Sequence, residues 1–506
     1  MSKSYKKYKI DFVDRVLDPV HGFIDLTKVE SEIYKLRIFR RLASIKQLGL
    51  TNWIFPGSEH TRFIHSLGVM HICDEMAKNL RNLDGSPRCN DGMRQTIRLA
   101  GLLHDIGHYP LSHITEEVYI QEDGLTGVNN ILNNYHNSVV EQIQKLDSKK
   151  TPEYMKSRYS KPMHHESIGT KVIVNDKEIK DIIKRYCPFV KIEDICDIIV
   201  GCVDNVIDPL DGTVNNDLSV MIQLMHAELD ADGIDYLLRD ASFSGTTYGT
   251  FTLGLLLRNL VVSKYNSVEI VGVKPKGIST IDQYLLGKYL SYTQVIFNRH
   301  VAVLELMAQI LTHYLMRGNV EKGYYAPEDL LHYIENHEKV DDFIRFTDRK
   351  FWTCLDQNDV DHANLNGKFL GIIIKRLKDY QELPMKENGE LVWINDSPSE
   401  VYKSIVNSDM YHSLEEKPEK ALFIFHKREF TSELPEKEFE DIVFDIRNIN
   451  DKESEEFKNE NIRRLQEGIS VVESDGSIHL LIDDPRSMIS HMKHAATYIF
   501  REYKIE

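Results

Sequence analysis

The stretch LLHDIGHYPLSH, residues 102–113, places three histidines and one aspartate within ten positions. It directly follows an apolar run, Ile97 to Leu103, whose spacing is typical of a buried helix. Titratable groups at the end of a buried helix are costly unless they bind a charge or one another. The pair His104-Asp105 is a weak signal by itself, because a core histidine bonded to a neighbouring aspartate is the plain alternative. The rest of the chain has to decide between the two interpretations.

Length and composition narrow the class of protein. The chain has 506 residues, enough for a large core and more than one domain. A hydrophobic content of 42% and a charged content of 28% are ordinary for a globular protein. The net charge of −16 argues against nucleic acid or an anionic membrane as the main partner, since both favour basic surfaces.

Cysteine usage and hydropathy indicate the compartment. The six cysteines are scattered and form no Cys-x-x-Cys pair, which favours reduced thiols over disulfides or a structural zinc site. No run approaches the ~20 apolar residues of a membrane span, and the polar start lacks an apolar signal core. We therefore expect a cytoplasmic protein that is not bound to a membrane.

Helical periodicity dominates the chain up to about residue 320. It predicts helices over residues 29–48, 62–80, 93–103, 177–186, 192–206, 218–238 and 281–316. Beyond residue 320, charged and loop-rich sequence alternates with short strand-like runs such as residues 421–425 and 478–482. The expected fold is mainly α, with a helical core over residues 1–320. A smaller α+β C-terminal region over residues 321–506 would serve regulation or oligomerisation.

Separate pieces of the chain carry the chemistry of a metal site. His65 lies in the second predicted helix, His104-Asp105 ends the third, and Asp232 lies in a later helix. Two imidazoles and two carboxylates suit a divalent Mn, Mg, Fe or Zn ion, and the lack of a thiolate argues against a structural zinc site. Four protein ligands on an ion that prefers six would leave positions for water and a substrate oxygen.

These residues reproduce the H…HD…D pattern and resemble the HD-domain metal-dependent phosphohydrolases. The match is closer to the deoxynucleoside triphosphate triphosphohydrolases (dNTPases and dGTPases), a branch with mammalian and bacterial members. The stretches that carry it, in family order, are DPVHG (18–22), IKQLG (45–49), FPG (55–57), RFIHSLG (62–68), GLLHDIGHYPLSH (101–113), HE (165–166) and residues 230–240. The C-terminal third resembles the family only loosely. The resemblance implies an HD-domain helical core that hydrolyses dNTPs to deoxynucleoside and inorganic triphosphate.

The resemblance also implies a role for each matched residue. The metal, expected to be Mn or Mg with Fe or Zn as further options, would be held by His65, His104, Asp105 and Asp232. Proton transfer and phosphate contact would fall to His113 and His165, with His108 beside them and Glu166 orienting His165. The substrate would meet Arg62 at the α-phosphate, Tyr236 at the triphosphate, Asp240 at the sugar 3′-OH, and Gln47 and Leu48 at the sugar and base.

A later helix departs from the family at positions that set specificity. The family has Arg, His or Tyr, Tyr and Lys there, and the best register gives Lys288, Tyr292, Ile296 and Arg299. Lys288 keeps a cation but loses the two-donor fork of arginine. Ile296 replaces a tyrosine that excludes a ribose 2′-OH, so exclusion falls to Ile296 by bulk or to Phe297, or sugar discrimination is weaker.

Nearby acidic and basic residues leave further alternatives. Gly233 stands where the mammalian relative has a phosphate-binding lysine, so another base must compensate, and residues 145–161 offer candidates. Asp230 and Asp235 are interpreted as helix surface or as structural partners of Arg239. His21 is either a turn residue or part of a regulatory surface.

Partners and alternative functions follow from the same resemblance. Relatives are commonly oligomers with nucleotides at their interfaces, so a homo-oligomer and a nucleotide activator are expected. Lys35 stands where the mammalian relative has an aspartate for guanine, and a lysine offers no acceptor for guanine N–H groups. GTP activation with that geometry is therefore not expected. The alternatives are an HD-type hydrolase of another nucleotide and a nucleotide-sensing component of antiviral defence.

Overall fold

The fold comes from a computed structural model. It describes residues 8–120, 128–147, 162–201, 214–317, 324–336, 340–357, 380–381, 398–416, 421–431, 455–492 and 495–504. Most of the basic stretch at residues 145–161 lies outside these ranges.

The chain begins with a β-hairpin that leads into short helices. Strands β1 (Phe12–Asp18) and β2 (Gly22–Thr27) pair antiparallel, and the Oδ1 atom of Asp18 accepts hydrogen bonds from two backbone N–H groups in the turn. Helices α1 (Lys28–Lys35) and α2 (Arg37–Arg40) follow, with a 3-10 turn at Arg41–Ser44. The prediction of one helix over residues 29–48 was wrong, because the backbone is extended at Leu36.

The helices that carry the histidine motifs lie where the periodicity places them. Helix α3 spans Arg62–Asn79, and α4 spans Asp91–Leu103 with Asn90 as its N-cap. The next helices are α5 (His113–Ile120), α6 (Val128–Gln144), α7 (His165–Asn175), α8 (Lys177–Tyr186) and α9 (Ile192–Val200). Helix α3 packs against α4, so the two motif helices share one core.

Two long predicted helices are each broken. Residues 218–238 fall in α10 (Asn216–His226) and α11 (Ala231–Ser244), and Asp230 caps α11 by accepting a hydrogen bond from a backbone N–H. After α12 (Leu253–Arg258), residues 281–316 fall in α13 (Ile278–Ser291) and α14 (Arg299–Arg317). A π-helical turn at Tyr292–Ile296 separates these two, and the chain bends by 68° there.

The C-terminal region combines short helices with strands, as predicted. Its helices are α15 (Pro327–Glu335), α16 (Val340–Ile344), α17 (Asp348–Gln357), Pro398–Val406, Asp409–Glu416, Glu455–Glu467 and Met488–His491. A three-stranded sheet has the order β6 (Tyr380–Gln381), β10 (Ala496–Lys504), β7 (Ala421–Glu429). A mainly helical fold with a smaller α+β region is therefore confirmed.

A five-stranded sheet joins the two regions. Its order is β3 (Arg81–Asn82), β4 (Leu260–Tyr265), β5 (Val268–Val273), β8 (Ser470–Val472), β9 (Ile478–Leu480). β5 and β8 run parallel, with Gly272 opposite Ser470. One hydrophobic cluster likewise contains residues from Ile24 to Tyr503. The boundary proposed near residue 320 stays a prediction.

Within the described residues, no single helix has the length and apolar composition of a membrane span. One bent pair, Pro275–Ile296 with Arg299–His313, has them only when its two helices are taken together. The described residues contain five cysteines and no disulfide between them.

Candidate metal centre and active site

The four predicted metal ligands meet at the ends of three helices. The Nε2 atom of His65 lies 2.8 Å from Oδ1 of Asp232 and 3.8 Å from Oδ2 of Asp105. The Nε2 atom of His104 lies 3.3 Å from Oδ1 of Asp105 and 3.8 Å from Oδ1 of Asp232. His65, His104 and Asp105 are buried, whereas the side chain of Asp232 is 38% exposed. The cluster is therefore reached from the side of α11.

Each histidine of this cluster is oriented through its other ring nitrogen. The Nδ1 atom of His65 lies 2.7 Å from Oδ2 of Asp235, and Nδ1 of His104 lies 2.8 Å from the carbonyl oxygen of Gly101. Both oxygens are acceptors, so each ring donates from Nδ1 and presents Nε2 to the cluster. The Nε2 atom of His104 has no hydrogen-bond partner, and Nε2 of His65 faces the Asp232 carboxylate. This is the arrangement of a histidine prepared to bind a metal.

Asp235 anchors this arrangement to the rest of the fold. It accepts hydrogen bonds from Nε and Nη2 of Arg239 at 2.8 and 3.0 Å, and Nη1 of Arg239 reaches Asp18 at 2.8 Å. The Nε2 atom of His21 lies 2.5 Å from Asp235. Pairing of Asp235 with Arg239 was one of the two interpretations of the sequence and is confirmed. Its contact with His65 was missed.

The charges in the cluster favour a cation. Burial raises the pKa of Asp105, but the Arg62 guanidinium at 2.9 Å and the surrounding imidazoles hold it below its usual range. The pKa of Asp232 is lowered to about 2 because bonding to His65 outweighs burial. Two ionised carboxylates and the Nε2 atoms of two imidazoles therefore face one point. This donor set fits a divalent metal ion.

A second group of histidines lies beside the first. The rings of His108 and His165 stack with centroids 4.1 Å apart, and His113 stands edge-on to both. The Nε2 atoms of His108 and His165 lie 3.8 and 3.9 Å from Oδ1 of Asp105. The predicted catalytic histidines are therefore brought together next to the metal ligands.

Glu116 holds this second group together. Its Oε1 accepts from the backbone N–H of His165 at 2.7 Å and lies 2.8 Å from Nδ1 of the same ring. Its Oε2 lies 2.7 Å from Nδ1 of His113. The prediction that Glu166 orients His165 was wrong: Glu166 lies 3.3 Å from Nδ1 of His164, and Glu116 takes that role. A catalytic role for Glu166 stays a prediction.

The two stacked rings have opposite charge preferences. Burial lowers the pKa of His165, but Glu116 outweighs it and raises the value to about 9. Burial and the nearby cationic groups, Arg62 foremost, lower the pKa of His108 well below its usual value. His165 is therefore the charged ring of the pair, and His108 the neutral one.

The loop between the two histidine groups is held by one residue from the N-terminal part of the chain and one from the C-terminal region. The buried Arg41 donates to the carbonyl oxygens of Ile106 and His108 at 3.3 and 2.6 Å. Asp348, in the C-terminal region, accepts the backbone N–H of Leu111 at 2.7 Å. Leu111 and Ser112 both adopt positive φ angles, 56° and 58°, which non-glycine residues rarely do. The clamp holds this strained turn directly before His113.

Some predicted substrate residues already have protein partners. Besides Asp105, Arg62 donates to the Ser112 hydroxyl at 2.9 Å. Asp240, expected at the sugar 3′-OH, lies 2.8 Å from Nε2 of His60. Gln47 is buried, and its Oε1 has no hydrogen-bond partner. Leu48 is half-buried on the same stretch.

The remaining predicted substrate residues surround the π-helical turn. The Nζ atom of Lys288 lies 6.0 Å from the ring centre of Tyr236. Tyr292 begins the turn, and Phe297 stands edge-on to it with centroids 5.8 Å apart. The prediction that Ile296 and Arg299 continue the helical face of Lys288 was wrong, because the π-turn and the bend interrupt that face. Phe297 is the ring beside Tyr292.

Known proteins are similar to this chain over different parts of its length. Residues 62–199 match the family model described as the HD domain. The uncharacterized protein YwfO of Bacillus subtilis is 27% identical over 380 residues, which cover 73% of this chain and 72% of that protein. A Mycoplasma pneumoniae relative, the uncharacterized protein MG461 homolog, is 29% identical over 285 residues, 55% of each chain. Thus the chain spans only about half the length of the second relative.

A shorter segment is similar to an enzyme of stated activity. The deoxynucleoside triphosphate triphosphohydrolase SAMHD1 of Gallus gallus is 39% identical over 105 residues, 20% of this chain and 17% of that enzyme. The match covers a fifth of the chain, so four fifths of the chain lie outside it.

Two solved structures share the fold over nearly the whole chain. A hypothetical protein from Aquifex aeolicus has a TM-score of 0.61 at 20% identity, with 97% of this chain and 96% of that one covered. A phosphohydrolase from Bacteroides thetaiotaomicron has a TM-score of 0.60 at 19% identity, with 97% and 100% covered. The segment that matches the HD domain contains His65, His104 and Asp105, so three of the four converging side chains lie within it.

Proposed function

We propose that the protein hydrolyses deoxynucleoside triphosphates to deoxynucleoside and inorganic triphosphate in a metal-dependent reaction. The observation that carries the proposal is the adjacency of the two histidine groups, which share the Asp105 carboxylate. One group offers metal ligands and the other offers a charged imidazole. The segment of similarity to SAMHD1 supports the substrate class.

The metal-ligand group would hold the ion through His65, His104, Asp105 and Asp232. A divalent ion bound there supplies Lewis acidity toward a phosphate oxygen and lowers the pKa of a bound water. Arg62, whose guanidinium lies between Asp105 and Ser112, contributes a fixed positive charge for the α-phosphate.

The second histidine group would supply the proton that the leaving group needs. The Nδ1 atom of His165 is bonded to Glu116, so its Nε2 is the end that faces Asp105 and the reacting phosphate. Because its raised pKa keeps the ring protonated at neutral pH, His165 can donate a proton to the departing 5′ oxygen. Glu116 fixes the ring and its charge, and therefore acts as a positioning residue.

The proposal is tested by product analysis. Purified protein is incubated with each dNTP and Mn²⁺ or Mg²⁺, and the products are resolved by ³¹P NMR. Inorganic tripolyphosphate is the expected phosphorus product. The Asp105→Asn variant should lose more activity than the ~10–100-fold typical of an outer-shell change, since it alters a metal ligand.

A matched control and a clear contrary outcome complete the test. Asp84→Asn changes a carboxylate in an exposed turn and should leave the rate unchanged. Absence of tripolyphosphate with every dNTP, even when other nucleotides are added as activators, would refute the proposal. A parallel panel of NTPs measures whether Phe297 and its neighbours exclude a ribose 2′-OH.

A further inference from the structure

The position after Asp232 has no room for a cationic side chain. A Cβ atom on Gly233 would lie 2.4 Å from the hydroxyl oxygen of Tyr284 and 2.5 Å from Oδ1 of Asp230. The Asp230 carboxylate is itself fixed there, because it caps α11 through the Gly233 N–H. The positive charge that a triphosphate requires must therefore come from another part of the chain.

Two cations from other elements lie beside this helix. Tyr236 is four residues after Asp232 on α11, so both side chains lie on one helix face. Lys288 of α13 lies near the rings of Tyr236 and Tyr284, at 6.0 and 5.8 Å. Arg428 of β7 places its guanidinium carbon 3.9 Å from the ring centre of Tyr292. The C-terminal region thus delivers an arginine to the aromatic side chains next to the metal ligands.

Among the residues that the structure describes, Arg428 lacks the partners that a half-buried arginine normally has. No carboxylate there forms an ion pair with it, and its buried Nε has no hydrogen-bond partner. Its neighbour Lys427, in contrast, lies 3.2 Å from Glu429. An unsatisfied buried donor is costly, so the site is incomplete without an anion.

The charge of Arg428 influences two tyrosines that lie beside Gly233 and Asp232. Burial is the strongest influence on Tyr236 and raises its pKa well above the usual value, and Arg428 is the cation that opposes this effect. Arg428 acts in the same way on Tyr284, the residue whose hydroxyl fills the space at Gly233. The positive charge of Arg428 therefore acts on the tyrosine that fills the space beside Gly233.

We propose that Arg428, together with Lys288, binds the phosphate chain of the triphosphate substrate. This rests on the proposed function for the identity of the substrate. A guanidinium offers two parallel donors to phosphate oxygens, which compensates for a lysine at position 288 instead of an arginine. The C-terminal region then contributes a substrate-binding residue to the HD-domain site.

The test uses inorganic tripolyphosphate as the probe and full-length, Mn²⁺-loaded protein. Its affinity is measured by titration calorimetry for wild type, Arg428→Met and Lys427→Met. Neighbouring residues of a strand point to opposite faces, so Lys427→Met removes a cation from the same strand on the other face. Arg428→Met should bind tripolyphosphate roughly 10–100-fold more weakly. Lys427→Met should stay within about twofold of wild type.

A conservative variant separates charge from geometry and guards against misfolding. Arg428→Lys keeps the charge and loses the fork, so its affinity should fall between those of wild type and Arg428→Met. Binding of a deoxynucleoside without phosphates should be unchanged in all variants. A KM increase for dNTPs larger than the fall in kcat is expected, since the contact is with the bound substrate.

The outcomes distinguish this inference from the proposed function. If Arg428→Met or, where that variant misfolds, Arg428→Lys binds tripolyphosphate as tightly as Lys427→Met, the inference is overturned. If wild type hydrolyses no dNTP while tripolyphosphate binding still depends on Arg428, the proposed function fails. The assignment of Arg428 to a phosphate chain then stands.

Discussion

Two buried carboxylates stand behind the two histidine groups, and they differ in what neutralises them. Asp235 bonds Nδ1 of His65 and is paired with Arg239, a permanent cation. Glu116 bonds Nδ1 of His165, and within the described residues its ion pairs are all with imidazoles. Asp235 therefore orients the His65 ring, whose Nε2 lone pair is needed to bind a metal ion. The second carboxylate keeps its ring charged, because within the described residues its own charge is balanced by imidazoles alone.

The largest expected effect comes from removing the permanent cation. Arg239→Met would leave Asp235 and Asp18 buried without their partner, so the free energy of unfolding should fall by about 3–5 kcal/mol. Urea denaturation of the metal-free protein measures it. Arg15→Met, which breaks the exposed pair with Asp25, should cost less than about 1 kcal/mol. Equal losses in the two variants would contradict the central role of Arg239.

The next largest effect is on metal affinity, which should differ between variants of Asp235 and Glu116. Asp235→Asn removes the negative charge behind His65 and replaces one of the two acceptor oxygens with a donor, so Mn²⁺ should bind roughly 10–100-fold more weakly. Glu116→Gln changes a residue that contacts none of the four ligands, so Mn²⁺ affinity should remain close to that of wild type. Calorimetric titration with Mn²⁺ compares the two variants. A loss of the same size in Glu116→Gln would show that the two histidine groups are not separate.

The smallest effect concerns the proton on His165. Its pKa is raised to about 9, so the stabilisation it gains from Glu116 is complete below its usual value of 6.5 and is lost as pH rises through 9. The pKa of Glu116 is lowered, so its share is complete above 4.5 and is lost at acid pH. In Glu116→Gln the His165 pKa should fall to 6.5 or below.

NMR titration of ring-labelled histidine measures that shift. The basic limb of the pH–rate profile should move to lower pH in Glu116→Gln, since the proton donor is lost earlier. Glu117→Gln is the matched control, because Glu117 is the next carboxylate of the same helix and its side chain is exposed. A profile that moves in the control and stays fixed in Glu116→Gln would reverse the assignment.

The metal ligands could be predicted from sequence because they lie in contiguous motifs on helices whose periodicity is clear. His65 and His104 lie in or directly after helices that form where expected. Glu116 was missed because it belongs to a short helix with nothing to mark an inward polar residue. The link between Asp235 and His65 depends on how α3 packs against α11, which no local pattern encodes.

The two helix breaks differ in how clearly the sequence marks them. Asp230 is a good N-cap residue, and its position before α11 was a signal for the break there. Between residues 288 and 316 there is no glycine or proline, and apolar residues continue through the π-turn. The bend therefore depends on tertiary contacts, such as Phe297 stacking on His426 from the C-terminal region.

The five-stranded sheet also constrains how the protein is made. A ribosome delivers the chain from its N-terminus, so β5 emerges long before its neighbour β8 at Ser470–Val472. Until then one edge of β5 has unpaired backbone groups, and such edges invite association with other chains. Helix α10, which leads into the helix of Asp232, packs on β5. The metal-binding half of the molecule therefore completes its support only after β8 has been synthesised, and a chain stopped before β8 would expose an aggregation-prone strand.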